Sequence, residues 1–225
     1  MDSMTIRVVT IDGPAGAGKS TISKQLAERL NWRLLDTGAM FRAVTWAAIR
    51  EGLDLEDSAG LDELVDRIRL RFEGSRIWLD EREISGEIRS HDVTSRTKFA
   101  ANHPKVRSRL KDWQREYART HSPLIAEGRD QGTIVFPDAV LKIFLTASPQ
   151  ERAKRRHAEF LARGEAIPFE EVLSDLIRRD GEDEVRRIAP LKPAPDAQFV
   201  DTTGLDPEQV LTKLERLVLD ALAQR

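Results

Sequence analysis

A glycine-rich run near the amino terminus, Gly13-Pro14-Ala15-Gly16-Ala17-Gly18-Lys19-Ser20, carries the strongest chemical signal in the sequence. It follows the pattern G-x-x-x-x-G-K-[ST], in which glycines let a loop curl around phosphate groups with its N–H groups pointing inward. Lys19 would supply a positive charge for the β- and γ-phosphates, and the Ser20 hydroxyl would help to hold a magnesium ion. With Thr21 after it, the run predicts a binding site for a nucleoside triphosphate.

Such a loop needs a strand to deliver it and a helix whose first N–H groups face the anion. Both are predicted around this run. Arg7–Asp12 is rich in β-branched residues, and Ile22, Leu26 and Leu30 recur at spacings of four, which is typical of the buried stripe of a helix. The loop therefore lies where a strand should turn into a helix.

Further short apolar runs recur along the chain with helical patterns between them. They are Trp32–Leu35, Leu124–Ala126, Val140–Ala147 and Phe199–Val200. This alternation predicts an α/β protein with a parallel sheet flanked by helices. Asp206-Pro207-Glu208-Gln209 predicts a capping box at the start of a helix. Apolar residues then continue at helical spacing to Leu222, so we expect a docked helix at the carboxyl end.

One stretch breaks this rhythm. Leu70 and Phe72 alternate with arginines, Gly74-Ser75 suggests a turn, and Ile77 and Leu79 alternate again, which predicts an antiparallel hairpin. The hairpin lies in an insertion of about fifty residues that a bare nucleotide-binding core would not need. Such an insertion can build the site for a second substrate.

Composition narrows the functional classes. Thirty-six basic and thirty-eight acidic residues leave a formal net charge of −2, so there is no overall basic field for nucleic acid or an anionic membrane. The chain has no cysteine, which suits a reducing compartment, and we expect a cytoplasmic protein. No run approaches the roughly 20 apolar residues of a membrane helix, and no secretory pattern opens the chain.

A phosphate loop alone serves kinases, GTPase switches and motor ATPases. The guanine-reading motif Asn-Lys-x-Asp is absent from the sequence, which argues against a GTPase. Arginine suits phosphate recognition because its planar fork makes bidentate bonds, and an arginine at a transferring phosphoryl group is worth about 10³–10⁵ in rate. The candidate arginines are Arg42, Arg107, Arg129, Arg152, Arg155, Arg156, Arg179 and Arg186. Together they favour phosphoryl transfer.

Several motifs in a fixed order make the chain similar to the bacterial cytidylate kinase family over nearly its whole length. Beside the run Ile11–Thr21, they are Leu35–Ala43, Ile84–Arg89, Glu127–Thr133, Phe136–Ala139, Lys142–Ala147 and Ile188–Leu191. The resemblance implies a P-loop NTPase fold with an antiparallel insertion that binds the nucleoside monophosphate and a helical lid. The implied boundaries are 5–50 core, 51–103 insertion, 104–150 core, 151–190 lid and 191–225 core, all in one kinase unit.

The same resemblance implies transfer of the γ-phosphoryl group of ATP to CMP or dCMP, with Mg²⁺ required. Carried over position by position, Thr37 contacts the sugar region and Arg107 with Asp130 reads the cytosine edge. The remaining implied substrate residues are Arg42, Arg129 and Arg186 for the acceptor phosphate, and Arg179 and Asp183 for the ribose hydroxyls. Arg152, Arg155 and Arg156 belong to the mobile lid over the ATP phosphates and, with Lys19 and Arg129, form the implied catalytic set.

The chain departs from this family pattern at Lys98, where a serine usually helps to read the cytosine amino group. Lysine cannot accept a hydrogen bond from that group. Three explanations are open: neighbouring Thr97 substitutes, the lysine folds away, or base discrimination is looser. Asp12 and Asp36 each have two possible roles. They could be caps at strand ends, or they could be direct or water-mediated metal ligands.

Two other functions compete with a cytidylate kinase. A kinase of the same fold could act on UMP, AMP or a small metabolite, and Lys98 keeps that hypothesis open. A nucleotide-dependent switch acting on a macromolecule would show hydrolysis without an acceptor and a surface of one charge sign, which the near-neutral composition does not favour. We expect a monomer that binds small-molecule nucleotides and neither nucleic acid nor membrane.

Overall fold

The structure, a computed structural model, describes residues 6–73, 76–162 and 164–224. The described residues up to Arg33, together with those from His121 onward, form one compact unit. Leu34–Thr120 form a second compact unit.

The first unit is built on a parallel sheet. Its strands are β1 (Val8–Asp12), β6 (Leu124–Gly128), β7 (Leu141–Thr146) and β8 (Gln198–Asp201). A fifth strand of the same sheet, β2 (Arg33–Asp36), begins at Arg33 and lies beside β6. The order is β2-β6-β1-β7-β8. Every residue of β1 is buried because it lies between β6 and β7 and is covered on both faces, as its run of β-branched residues predicts.

The first unit contains the helices α1 (Lys19–Leu30), α6 (Pro149–Ala162), α7 (Phe169–Val185) and α8 (Pro207–Ala223), of which α1 and α8 pack against this sheet. The predicted capping box at Asp206 is confirmed, and Val210, Leu211, Leu214 and Val218 of α8 are buried. Helices α6 and α7 pack together around Ala153, Phe160, Val172 and Leu176. A single π-helical turn, Gln131–Val135, follows β6.

The second unit contains the helices α2 (Thr37–Arg50), α3 (Ser58–Arg67), α4 (His91–Asn102) and α5 (Pro104–His121) and the short strands β3 (Leu70–Glu73), β4 (Arg76–Leu79) and β5 (Arg82–Glu83). The strands form an antiparallel sheet in the order β3-β4-β5, which confirms the predicted hairpin; its turn, residues 74 and 75, lies outside the described residues. Small residues of α2, Ala39 and Ala43, let that helix approach Ile77, Ile84 and Ile88 closely.

A parallel sheet flanked by helices, with a small antiparallel sheet and a helical pair, is the predicted fold class, and the structure confirms it. The boundaries predicted for insertion and lid, 51–103 and 151–190, stay predictions. Among the described residues, no helix is both long enough and apolar enough to cross a membrane.

Candidate active site

The glycine-rich run forms a loop between the end of β1 and the start of α1, as predicted. Its first glycine, Gly13, has a φ of 149°, and a Cβ built there would lie 2.0 Å from the carbonyl oxygen of Leu145. Only glycine fits so close to a neighbouring strand. Gly18 caps the amino end of α1, so the free N–H groups of that helix adjoin the loop. This is the geometry of a phosphate-binding loop.

Lys19, the first residue of α1, is only 8% exposed and donates from Nζ to the carbonyl oxygen of Pro14 at 2.7 Å. Burial above all, together with the positive charge of Arg129, lowers the pKa of the Lys19 ammonium to about 7. The carboxylates of Glu127 and Asp12 act in the opposite direction. The Lys19 ammonium is therefore disfavoured mainly because it is buried, and the negative charge of a phosphate group beside it would stabilise it.

Ser20 follows on α1, and its Oγ donates to Oε1 of Glu127 at 2.8 Å. Glu127 is 3% exposed and lies near the end of β6, directly beside β1 in the sheet. A hydroxyl and a carboxylate at this place suit magnesium, which prefers oxygen ligands and uses few protein groups beside substrate phosphates. No cluster of three or more metal-ligating His, Cys, Asp or Glu side chains exists among the described residues.

Asp12 and Asp36, for which the sequence allowed a role either as a cap or as a metal ligand, both accept hydrogen bonds from main-chain N–H groups. Asp12 Oδ1 accepts from the N–H of Gln131 at 3.0 Å and Oδ2 from that of Gly132 at 2.8 Å. Asp36 Oδ1 accepts from the N–H of Ala39 at 2.8 Å and caps α2. Because both oxygens of Asp12 accept hydrogen bonds from main-chain N–H groups, the structure supports the interpretation of Asp12 as a cap.

The turn anchored by Asp12 follows Arg129 and Asp130. Arg129 donates from Nε to Oδ2 of Asp183 on α7 at 3.1 Å, and Arg186, just after α7, lies 3.6 Å from the other oxygen of Asp183. Arg186 also donates to the carbonyl oxygens of Ile188 and Ala189. Asp130 is 5% exposed. The structure thus brings Arg129, Asp183 and Arg186 together, although 54 residues separate the first two.

Arg179 lies one helical turn before Asp183 on α7 and is half-buried. Burial lowers the pKa of its guanidinium, and the charges of Arg129 and Arg156 lower it further, against an opposite effect of Asp175 and Asp183. Lys19 and Arg179 are therefore both destabilised in their charged forms by the same neighbour, Arg129. A group of cations arranged in this way favours a multiply charged anion.

The three arginines of α6 have different surroundings. Arg152 is buried and bound to main-chain carbonyls and to Asp180, and Arg155 donates to the hydroxyl and the carbonyl oxygen of Thr202 at 2.9 and 2.8 Å. Arg156 pairs with Glu159 at 2.7 Å and stacks on Phe160. Both of these Arg156 contacts are with residues of its own helix. The expected role of all three at the ATP phosphates stays a prediction.

The remaining predicted site residues belong to the second unit. Thr37, the first residue of α2, is buried, and Arg42 pairs with Asp36 at 3.1 Å. Arg107 donates to the carbonyl oxygen of Ala101 at 2.8 Å and stacks on Phe41.

The unexpected lysine lies in the same unit. Lys98 is exposed on α4 and its Nζ lies 5.6 Å from the centre of the Phe99 ring. Neighbouring Thr97 is half-buried and donates its hydroxyl proton to the carbonyl oxygen of Val93 at 2.8 Å.

Two residues were not predicted as site residues although the structure places them there. Glu127 had a usable signal, since it is a carboxylate closing an apolar strand in a phosphate-loop protein. Asp180, which binds Arg152 at 2.6 Å, had none, because its partner is determined by the packing of α6 against α7.

Comparisons with known proteins give the family. Residues 9–219 match the family described as cytidylate kinase. The chain is 45% identical over 215 residues to a cytidylate kinase of Rhodopirellula baltica, covering 96% of this chain and 93% of that protein. It is 44% identical to a cytidylate kinase of Mycobacterium leprae, covering 96% of each. A crystal structure of an uncharacterized protein from Eubacterium ventriosum shares the fold, with a TM-score of 0.52 at 14% identity over 94% of this chain and 98% of that one. The chain belongs to the cytidylate kinase family.

Proposed function

We propose that the protein transfers the γ-phosphoryl group of ATP to CMP or dCMP, giving ADP and the corresponding diphosphate. The observation that carries this proposal is the set of buried or half-buried cations at the phosphate loop, in which burial, and then the charge of Arg129, lowers the pKa of both Lys19 and Arg179. Such crowding is unfavourable until negative charge is brought in, and a nucleotide polyphosphate brings it. Family membership identifies the nucleotides.

Positioning and charge neutralisation account for the reaction. The acceptor phosphate oxygen is already an anion, so no general base is needed to generate the nucleophile. Lys19 would bind the β- and γ-phosphates, and Arg129 and Arg156 would stabilise charge on the group in transfer. Magnesium, held by Ser20 with Glu127 beside it, would neutralise further phosphate charge when bound. The main chain of residues 13–21 would bind the remaining phosphate oxygens of ATP.

The acceptor residues follow the family positions. We assign the CMP phosphate to Arg42, Arg129 and Arg186 and the ribose hydroxyls to Arg179 and Asp183, with Thr37 near the sugar. The pairing of Arg129 and Arg186 with Asp183 supports this assignment, because one carboxylate holds two of the arginines in place. Each guanidinium offers a planar fork that fits a phosphate bidentately.

Base recognition would use Arg107 for the cytosine O2 and N3 acceptors and Asp130 for the exocyclic amine. Lys98 carries a positive charge and no acceptor, and its ammonium lies near the neighbouring Phe99 ring. The hydroxyl proton of Thr97 is donated to Val93, which leaves lone pairs on its oxygen. We therefore favour Thr97 as the residue that replaces the usual serine, with Lys98 turned aside.

We further propose a monomeric, cytoplasmic enzyme in which residues 51–103 hold the acceptor and residues 151–190 cover the ATP phosphates, excluding water from the transfer. The absence of cysteine suits a reducing compartment. Size-exclusion chromatography with light scattering tests the oligomeric state.

A coupled assay of ADP release tests the function. Purified protein with Mg-ATP is given CMP, dCMP, UMP or AMP in turn, beside a control without acceptor. High turnover with CMP and dCMP is expected. Equal turnover with UMP or AMP would show that the enzyme does not select cytosine in its acceptor. ADP release without any acceptor would refute the kinase assignment in favour of a hydrolytic switch.

A further inference from the structure

Arg152 makes three contacts with three different parts of the first unit. Its Nε donates to the carbonyl oxygen of Ala147, just after β7, at 3.0 Å, and its Nη1 donates to that of Ala15, in the phosphate loop, at 3.0 Å. Its Nη2 lies 2.6 Å from Oδ2 of Asp180 on α7. The side chain is 5% exposed. A guanidinium bound on all three nitrogens and shielded from water acts as an internal support.

Apolar packing joins the same parts. Ala15 of the phosphate loop packs against the cluster of Ala153, Phe160, Val172 and Leu176 that holds α6 to α7. A Cβ built on Gly16 would lie 3.1 Å from both the Cβ and the carbonyl oxygen of Arg152. The loop therefore lies directly on the amino-terminal part of α6. A shift of α6 or α7 would displace Ala15 and Gly16, because they are in close contact with this helical pair.

The contact at Ala15 determines which way the loop's peptide groups point. A trans peptide places its C=O and the following N–H on opposite sides of one plane. When Arg152 holds the carbonyl oxygen of Ala15, the N–H of Gly16 must point away from Arg152. Inward-pointing N–H groups are what a phosphate loop offers to its anion, so the position of Arg152 bears on how well the loop binds phosphate.

Asp180 in turn determines the position of Arg152. The Asp180 carboxylate is 17% exposed, and its Oδ1 is buried with no hydrogen-bond partner in the described part of the chain. Its interaction with Arg152 is therefore its main compensation for burial. The neutral carbonyls of Ala15 and Ala147 orient the guanidinium but do not balance its charge.

From these contacts we propose that Asp180 is a positioning residue for the ATP phosphate loop and acts on Ala15 through the buried side chain of Arg152. Since α7 also carries Arg179 and Asp183, the same contact links the helix assigned to the ribose with the loop that binds the donor. The inference rests on the proposed function only in taking ATP as the ligand of the loop.

The alternative is that Arg152 binds the ATP phosphates directly, as the family resemblance implies. Asp180 would then only pair with Arg152 while no nucleotide is bound. The two hypotheses predict opposite effects of Asp180→Asn. If Asp180 positions the loop, the variant binds ATP more weakly. If Asp180 competes with phosphate for Arg152, the variant frees the arginine and binds ATP equally well or better.

The experiment compares wild-type protein with Asp180→Asn, Asp180→Glu and Glu182→Gln. Glu182 lies on the same helix but makes an exposed pair with Arg178, so it is a matched control. Steady-state kinetics give kcat and the KM values for ATP and CMP, and calorimetry gives the Kd of a non-hydrolysable ATP analogue. Thermal melting shows that each variant is folded.

For Asp180→Asn we expect the KM for ATP and the Kd of the analogue to rise about fivefold or more, with the KM for CMP within about twofold of wild type. Asp180→Glu should recover part of the affinity, and Glu182→Gln should match wild type. An unchanged or lower Kd of the analogue would overturn the proposal, as would an equal rise in both KM values. Failure of the kinase function would appear separately, as absent CMP turnover in wild-type protein, while analogue binding would still test Asp180.

Discussion

The hydroxyl of Ser20 donates to the carboxylate of Glu127 at 2.8 Å, joining the first turn of α1 to the end of β6. A carboxylate in this place would orient the magnesium ion through the serine and through bound water. We expect Glu127→Gln to lower kcat about 10–100-fold and to raise the magnesium concentration needed for half-maximal rate.

Titration of the reaction rate with MgCl₂ at saturating ATP checks this expectation. Glu127→Asp is the matched control, because it keeps the charge and should recover much of the rate. A magnesium requirement that is the same in Glu127→Gln as in wild type would show that the carboxylate has no part in metal binding.

Protonation of Lys19 should be linked to nucleotide binding. Burial and the Arg129 charge hold the pKa of the free protein's Lys19 at about 7, and phosphate would raise it because it favours the charged ammonium. Above pH 7 binding must then take up a proton, and affinity should fall as pH rises. At pH 8 we expect uptake of about one proton, measured by calorimetry in buffers of different ionisation enthalpy.

The control for this linkage is Lys19→Arg, in which the group stays charged over the whole range. Proton uptake at pH 8 should largely disappear in that variant, whatever its affinity. Equal uptake in both proteins would assign the proton to another group.

Asp12 should make stability depend on pH in an unusual direction. Burial raises the pKa of its carboxyl to about 6, although the N–H groups of Gln131 and Gly132 lower it. A carboxyl whose pKa is raised on folding stabilises the native state at low pH and loses that contribution as pH rises from about 4 to about 6. A shift of this size corresponds to about 3 kcal/mol.

Chemical denaturation of wild type and Asp12→Asn at pH 4.5 and pH 7 isolates this effect, because other groups cancel in the difference. We expect the free energy of unfolding of wild type, relative to the variant, to fall by about 2 kcal/mol between the two conditions. A difference that stays constant, or that grows with pH, would contradict the raised pKa.

Gly13 and Gly181 provide a contrast between a required and a dispensable glycine. Gly13→Ala would place its Cβ 2.0 Å from the main-chain oxygen of Leu145, so we expect a loss of more than about 3 kcal/mol in the free energy of unfolding. Gly181, inside α7, has open space around it, and Gly181→Ala should add about 0.5–1 kcal/mol. Denaturant unfolding measures both, and similar values would refute the close approach.

Base selection should depend on Thr97 more than on Lys98. Removing the Thr97 hydroxyl in Thr97→Val would leave the cytosine amine without that acceptor, so we expect kcat/KM for CMP to fall about tenfold or more, with a smaller change for UMP. Lys98→Ala should change either value by less than about threefold. The reverse ranking, measured with CMP and UMP, would place base recognition at the lysine.

Features that depend on neighbouring residues were readable from the sequence. The phosphate loop, the hairpin of Leu70–Leu79 and the capping box at Asp206 each follow from a short pattern whose physical cause is local. The order of motifs was sufficient to identify the family, and it was the family, rather than any single spacing, that pointed to CMP.

What the tertiary structure decided are contacts between distant residues. Ser20 and Glu127 are 107 residues apart, Asp12 and Gly132 are 120 apart, and Ala15 and Arg152 are 137 apart. These pairs meet because β1 lies between β6 and β7, so that the carboxyl ends of three parallel strands share one edge of the sheet. Strand order is a property of the folded sheet, and no local pattern of residues in the sequence indicates it. The sequence alone therefore determined which chemistry is available, and the sheet order decided which carboxylate faces which cation.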